Sequence, residues 1–150
     1  MGLRAVSSFL ARHARIALDT SVFIYQLETH PRYVSVTDPI FAWVQQRGHV
    51  AVTSTITMVE LPVRPYRDND ERRVNACYSL LSTYPNLRWI APELEVADIA
   101  ARMRAMHRLR VPDALQAASA VQAQATAMIT NDPIFKRIDA FETLVLDQLL

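Results

Sequence analysis

Residues 16–27 read Ile16-Ala17-Leu18-Asp19-Thr20-Ser21-Val22-Phe23-Ile24-Tyr25-Gln26-Leu27, and the fold follows from this stretch. Ile16-Ala17-Leu18 is a short apolar run that Asp19-Thr20-Ser21 stops, and Val22, Phe23, Ile24 and Leu27 then recur at helical spacing. The unit is strand, turn, helix. Val50-Ala51-Val52 starts a second such unit, with Thr55 opening a short helix that carries Met58, Val59 and Glu60. Pro62 and Pro65 are expected to end that helix by removing backbone donors. Leu87-Arg88-Trp89-Ile90, Ala127-Met128-Ile129 and Leu144-Val145-Leu146 supply three further strands.

Longer helices are expected between these strands. Asp38 can cap one, with Pro39 in its first turn and Gly48 beyond its end. Another runs from about Asn69 to Thr83, with Val74, Cys77, Tyr78, Leu80 and Leu81 inward. Glu93 to His107 is a third, burying Leu94, Ala97, Ala101 and Met103, and Pro112 to Ala123 a fourth. A short helix through Ile134 and Phe135 precedes the last strand. Such alternation calls for an α/β three-layer sandwich with a mainly parallel central sheet. Ligands in that architecture bind at the carboxyl ends of the strands.

The chain has 150 residues and a mass of 17.0 kDa, which suits one domain. No stretch approaches the ~20 apolar residues of a membrane span, and no signal-type segment is evident, so a soluble, cytoplasmic protein without membrane contact is expected. Residues 1–15, with Arg4, Arg12 and Arg15 and no acid, read as a helical N-terminal extension on a domain of residues 16–150. Cys77 is the single cysteine, which excludes a disulfide framework and a thiolate zinc site. Two glycines leave no glycine-rich phosphate loop. The net charge of +1 gives no strong global field, so any polyanion must be held by local arginines.

Four acids stand where a parallel sheet would gather them. Asp19 follows the first strand and Asp132 the fourth, Asp113 lies in a first helical turn, and Glu60 sits just beyond strand two. Each alone is an ordinary cap or dipole partner. Together they crowd like charges into one cleft, which a divalent cation relieves by stabilising the ionised forms. Oxygen donors without a Cys or His cluster suit Mg2+ or Mn2+. Such an ion can lower the pKa of a bound water and stabilise the leaving oxygen in phosphodiester hydrolysis.

Asp19-Thr20-Ser21, Met58-Val59-Glu60, Pro112-Asp113-Ala114-Leu115-Gln116-Ala117-Ala118 and Ile129-Thr130-Asn131-Asp132-Pro133-Ile134-Phe135 resemble, in that order, the sequence blocks of PIN domains, and in particular of VapC-type toxins of toxin-antitoxin pairs. The resemblance covers roughly residues 16 to 147. It implies a Mg2+- or Mn2+-dependent endoribonuclease that leaves a 5′-phosphate and a 3′-hydroxyl. Asp19 and Asp113 would be the most direct metal ligands, with Glu60 and Asp132 completing the pocket. Thr20, Ser21, Thr130 and Asn131 would hold the carboxylates by hydrogen bonds. The partners implied are RNA, a small cognate antitoxin and a second copy of the chain in a homodimer.

Two features depart from the family pattern. The lead before the first strand is longer than usual, and the approach to Asp113, Arg108-Leu109-Arg110-Val111-Pro112, is basic and stiff where a glycine or small polar residues are common. With Arg64 and Arg67 after Glu60, Arg108 and Arg110 are candidate RNA contacts. A dehalogenase-type phosphatase is excluded because its second acid would fall at Ser21, and a phospho-receiver because the only lysine, Lys136, precedes the last strand. The remaining alternative is a PIN-like RNA-binding or protein-interaction module with little catalysis.

Overall fold

The computed structural model describes residues 2–150; Met1, the first residue of the expected extension, lies outside the described residues. Five strands, β1 (Arg15–Leu18), β2 (Val50–Ser54), β3 (Leu87–Ile90), β4 (Ala127–Thr130) and β5 (Glu142–Val145), form one sheet in the order β3-β2-β1-β4-β5. Every pairing is parallel, and the register sets Ile16 beside Ala51 and Ala127, and Leu18 beside Ile129. The chain steps from β1 outward to β3, then returns across the sheet to β4. The direction therefore reverses between β1 and β4, where a crevice opens at the carboxyl ends.

The two-residue period of the strands divides the core. Ile16, Leu18, Ala51, Ala127 and Ile129 face one layer, built from α1 (Gly2–Leu10), α2 (Thr20–Leu27), α3 (Val34–Val44) and α6 (Glu71–Thr83). Phe23, Ile40 and Leu81 are fully buried there, each contributing roughly 1.5–3 kcal/mol. Ala17, Val52 and Met128 face the opposite layer, built from α7 (Leu94–His107) and α8 (Val111–Gln122). Ala114, Ala117, Ala118 and Ala120 of α8 are fully buried against the sheet, so this helix lies close to the strands and brings Asp113 and Gln116 to the crevice.

The N-terminal helix is built into the first layer: Val6, Phe9 and Leu10 are buried in the same core as Ile16 and Ile40. Beyond it, Arg12 and His13 both bond the Glu142 carboxylate of β5, and His13 Nδ1 lies 2.8 Å from Thr126 Oγ1. The Arg12 guanidinium, with His13, holds the Glu142 carboxyl below its ordinary pKa.

Several local expectations need correction. Helix α3 starts at Val34, so Pro39 lies inside it and Asp38 is no cap. The sequence signal is real but spent elsewhere: Gln26 donates to Asp38 at 2.8 Å and accepts from Thr37 at 2.7 Å, tying α2 to α3. Helix α4 (Ile56–Glu60) does end ahead of Pro62 as expected, but a further short helix, α5 (Val63–Arg67), follows at once and holds Pro65 in its first turn, where no amide donor is required. Helix α7 buries Val96, Ala100 and Met103, leaving Leu94 88% exposed and Ala97 and Ala101 on the solvent side. Tyr78 is exposed rather than inward. Ile134 and Phe135 lie in a 3-10 turn, Pro133–Arg137, and a second, Leu146–Leu149, follows β5.

Candidate active site

Asp19 leaves β1 as the cap of α2, and its Oδ1 accepts the Thr20 amide at 2.8 Å. Its other oxygen, Oδ2, accepts the Thr130 hydroxyl of β4 at 2.7 Å. Burial raises the Asp19 pKa from 3.8 to about 6; the Thr130 and Thr20 bonds oppose the rise, while Asp113 and Glu60 add to it. Thr130 Oγ1 also accepts the Asp132 amide at 3.0 Å, and Asp132 in turn caps the 3-10 turn through Ile134. A single hydroxyl thus joins the two acids at the strand ends.

Glu60 is the last residue of α4 and its Oε1 accepts the Thr20 hydroxyl at 3.0 Å. Asp113 stands in the first turn of α8, largely buried, with Oδ2 3.2 Å from Arg110 Nε. Asp19, Glu60, Asp113 and Asp132 all line one open cavity of about 420 Å³, together with Thr20, Ser21, Tyr25, Arg110 and Gln116. They are not closed on a common point: among the described residues no three His, Cys, Asp or Glu side chains are grouped to grip an ion as they stand. Mutual repulsion and separate partners account for this, Thr20 for Glu60, Arg110 for Asp113 and the Ile134 amide for Asp132.

A sequence profile for the PIN domain matches residues 16–141, the span that carries all four acids. The chain belongs to the PIN domain family. Solved structures with the same PIN architecture include a chain of the VapBC2 complex of Rickettsia felis bound to a promoter DNA fragment, at 17% identity and a TM-score of 0.67, covering 87% of this chain and 98% of that one. DNA-bound VapBC of Salmonella typhimurium matches at 20% identity and 0.65, covering 88% and 98%, and FitAcB of Neisseria gonorrhoeae at 23% and 0.63, covering 86% and 96%. Comparison with curated proteins gives no match.

The PIN cleft has the donor chemistry of a hard divalent ion: carboxylates and hydroxyls line it, with no thiol or imidazole. Ser21 Oγ is buried at its wall without a hydrogen-bond partner among the described residues, an unused polar atom that suits a ligand. Asn131 turns its amide away from the acids, donating to the hydroxyls of Tyr25 at 2.9 Å and Tyr33 at 3.2 Å and accepting the Asp147 amide at 2.8 Å. The two tyrosine rings stack at 3.9 Å, and Tyr33 donates to Asp147 at 2.6 Å.

Of the four candidate RNA-binding arginines, Arg110 lines the acidic cavity and Arg64 lines a neighbouring groove that shares Ile24 and Glu60 with it. Arg67 and Arg108 are exposed and line neither, and Arg108 adopts a left-handed conformation, φ 56°, to end α7. The site residues that sequence reasoning missed are Gln116 and Thr57. Gln116 carried a signal: it is the one polar side chain within the apolar run Ala114–Ala118, one turn beyond Asp113.

Proposed function

We propose that this chain is a Mg2+- or Mn2+-dependent endoribonuclease and the toxin of a toxin-antitoxin pair. One observation carries the reading: Asp19, Glu60, Asp113 and Asp132, from four separate elements, line a single open cleft at the carboxyl ends of a parallel sheet. Membership of the PIN family supports nuclease chemistry on that cleft. Asp19 and Asp113 would hold the ion, with Glu60 and Asp132 completing its surroundings. When bound, the ion supplies an acidified water and a counter-charge to the leaving oxygen.

The chain's own residues do the rest. Thr130 and the Thr20 amide fix the Asp19 carboxylate, Thr20 turns Glu60 inward, and Arg110 at the rim is free to exchange Asp113 for a substrate phosphate. The RNA strand lies across the cleft with its scissile phosphate at the acids. Water attack leaves a 5′-phosphate and a 3′-hydroxyl.

A toxin-antitoxin complex of Klebsiella pneumoniae, one chain of which shares this fold at 21% identity and a TM-score of 0.64, supports a small antitoxin as partner of this chain. The groove of about 640 Å³ beside Glu60, lined by Ile24, Leu27, Leu61 and Cys77, suits an apolar antitoxin segment that ends with a basic side chain among the acids. A homodimer of the chain completes the proposed assembly.

The test is cleavage of RNA by purified protein with Mg2+ or Mn2+, with EDTA, and with Asp19→Asn and Asp113→Asn. The proposal requires activity that EDTA and both substitutions abolish. Unchanged cleavage in all three sinks it. Because the carboxylates are not closed on one point, a binding module is the second reading, and equal RNA binding with and without EDTA, in the absence of cleavage, would favour it.

A further inference from the structure

Beneath Glu60 lies a buried hydrogen-bond chain whose direction can be worked out from its ends. Ser54 N–H can only donate, and it lies 3.2 Å from Gln116 Oε1, which fixes the orientation of that amide. Gln116 Nε2 must then point at the threonines, donating to Thr57 Oγ1 at 2.8 Å and to Thr20 Oγ1 at 3.3 Å. At the other end the Leu18 carbonyl can only accept, and it takes the Thr53 proton at 2.8 Å. Thr57 therefore donates to Thr53 across 2.7 Å. Thr20, already accepting from Gln116, has one proton and two acceptors within reach, Thr57 Oγ1 at 3.2 Å and Glu60 Oε1 at 3.0 Å; the carboxylate is nearer and can only accept, so it receives the proton.

Gln116, Thr20, Thr53 and Thr57 are all buried, whereas Glu60 is exposed on a five-residue helix. A long exposed carboxylate has many rotamers, and the Thr20 proton is the contact that selects the one facing the cleft. We infer that Gln116 is a positioning residue: by donating to both Thr20 and Thr57 it occupies the lone pairs through which these two hydroxyls would pair with each other, leaves the Thr20 proton for Glu60, and so aims this carboxylate into the acidic cleft. The inference rests on the nuclease reading only for its consequence, which is tighter metal binding. The orientation itself is a property of the metal-free protein.

Two readouts keep these apart, both on the intact chain. In metal-free protein labelled with carboxyl-13C glutamate, the Glu60 signal is assigned by its loss in Glu60→Gln. Gln116→Met and Thr20→Val should both shift it, Thr20→Ser should restore it, and Ser119→Ala, a buried control on the same helix, should leave it in place. Mn2+ affinity, by calorimetry without RNA, should fall about tenfold in Gln116→Met and in Thr20→Val. It should fall no further in the double variant, because both act through one hydroxyl.

A Glu60 signal unmoved by Gln116→Met in folded protein overturns the inference, as do losses of Mn2+ affinity that multiply in the double variant. If Gln116→Met does not fold, Thr57→Val, which removes Gln116's other acceptor, must leave the Glu60 signal nearer to wild type than Thr20→Val does; the reverse order overturns it. A signal that moves as expected in a protein that neither binds Mn2+ nor cleaves RNA supports the positioning and sinks the nuclease reading instead.

Discussion

Thr130 donates its hydroxyl proton to Asp19 Oδ2 across 2.7 Å while accepting the amide proton of Asp132 at 3.0 Å, so one buried threonine couples the acids that follow β1 and β4. Valine has nearly the same shape and neither polar function. Thr130→Val should reduce Mn2+ affinity and cleavage by about 10- to 100-fold with the fold intact. It should also cost about 1–3 kcal/mol of stability, because it strips partners from two part-buried groups. Denaturant melts and Mn2+ titration check both, and wild-type affinity in the folded variant would refute the coupling.

The raised Asp19 pKa gives a pH dependence of known sign. A carboxyl whose folded pKa, about 6, exceeds its ordinary 3.8 favours the native state below pH ~4 and loses that contribution as pH rises through 6. Metal-free wild type should therefore lose up to about 3 kcal/mol relative to Asp19→Asn between pH 4 and pH 7. Mg2+ should narrow the gap at pH 7 by favouring the ionised form. Paired melts of the two proteins across that range measure it; a constant difference contradicts the burial argument.

Ser21 Oγ is buried without a partner among the described residues. Ser21→Ala should leave metal-free protein equally stable or up to about 1 kcal/mol more stable, since it removes an unsatisfied polar atom. If the hydroxyl serves a ligand, the same change weakens Mn2+ binding. Loss of stability without metal would show that Ser21 has a structural partner.

Arg110 is largely exposed, and among the described residues its side chain makes one polar contact, 3.2 Å to Asp113. A rim pair of this kind adds little stability, so Arg110→Ala should leave the melting temperature within a degree or two. RNA affinity should drop, and the slope of log affinity against log salt should become shallower by about 1. An unchanged slope would remove Arg110 from the substrate path.

Helix α1 shares its core with β1 and α3 through Val6, Phe9 and Leu10. We propose that residues 1–15 cannot be separated from residues 16–150 without loss of the domain. Phe9→Ala should cost about 3–5 kcal/mol, and removal of residues 1–10 should leave protein that aggregates or melts without cooperativity. A truncated chain melting like the whole would contradict this.

The layered α/β fold was legible because short, mostly apolar strands alternate with helices, which calls for a mainly parallel sheet covered on both faces, although that alternation alone gives no strand order. The convergence of Asp19 and Asp132 followed from that topology alone. Less legible were features decided by side chains distant in sequence. Asp38 looks like a cap beside Pro39, yet Gln26 claims it from another helix. Leu94 looks inward by hydropathy, yet α7 turns Val96, Ala100 and Met103 inward instead, packing chiefly on α8. The path from Gln116 to Glu60 spans 56 residues of sequence, and no local pattern encodes it.

The buried alanines of α8 carry nothing larger than a methyl group, which lets that helix pack closely on the sheet and on α7. Asp113 and Gln116 project from this same helix, so the width of the acidic cleft is gauged by residues that never touch it. A single larger side chain at Ala117 would act as a shim, tilting the helix outward and parting Asp113 from Asp19. The width of this cleft can therefore be altered from the dry side of the helix without replacing any of the four acids.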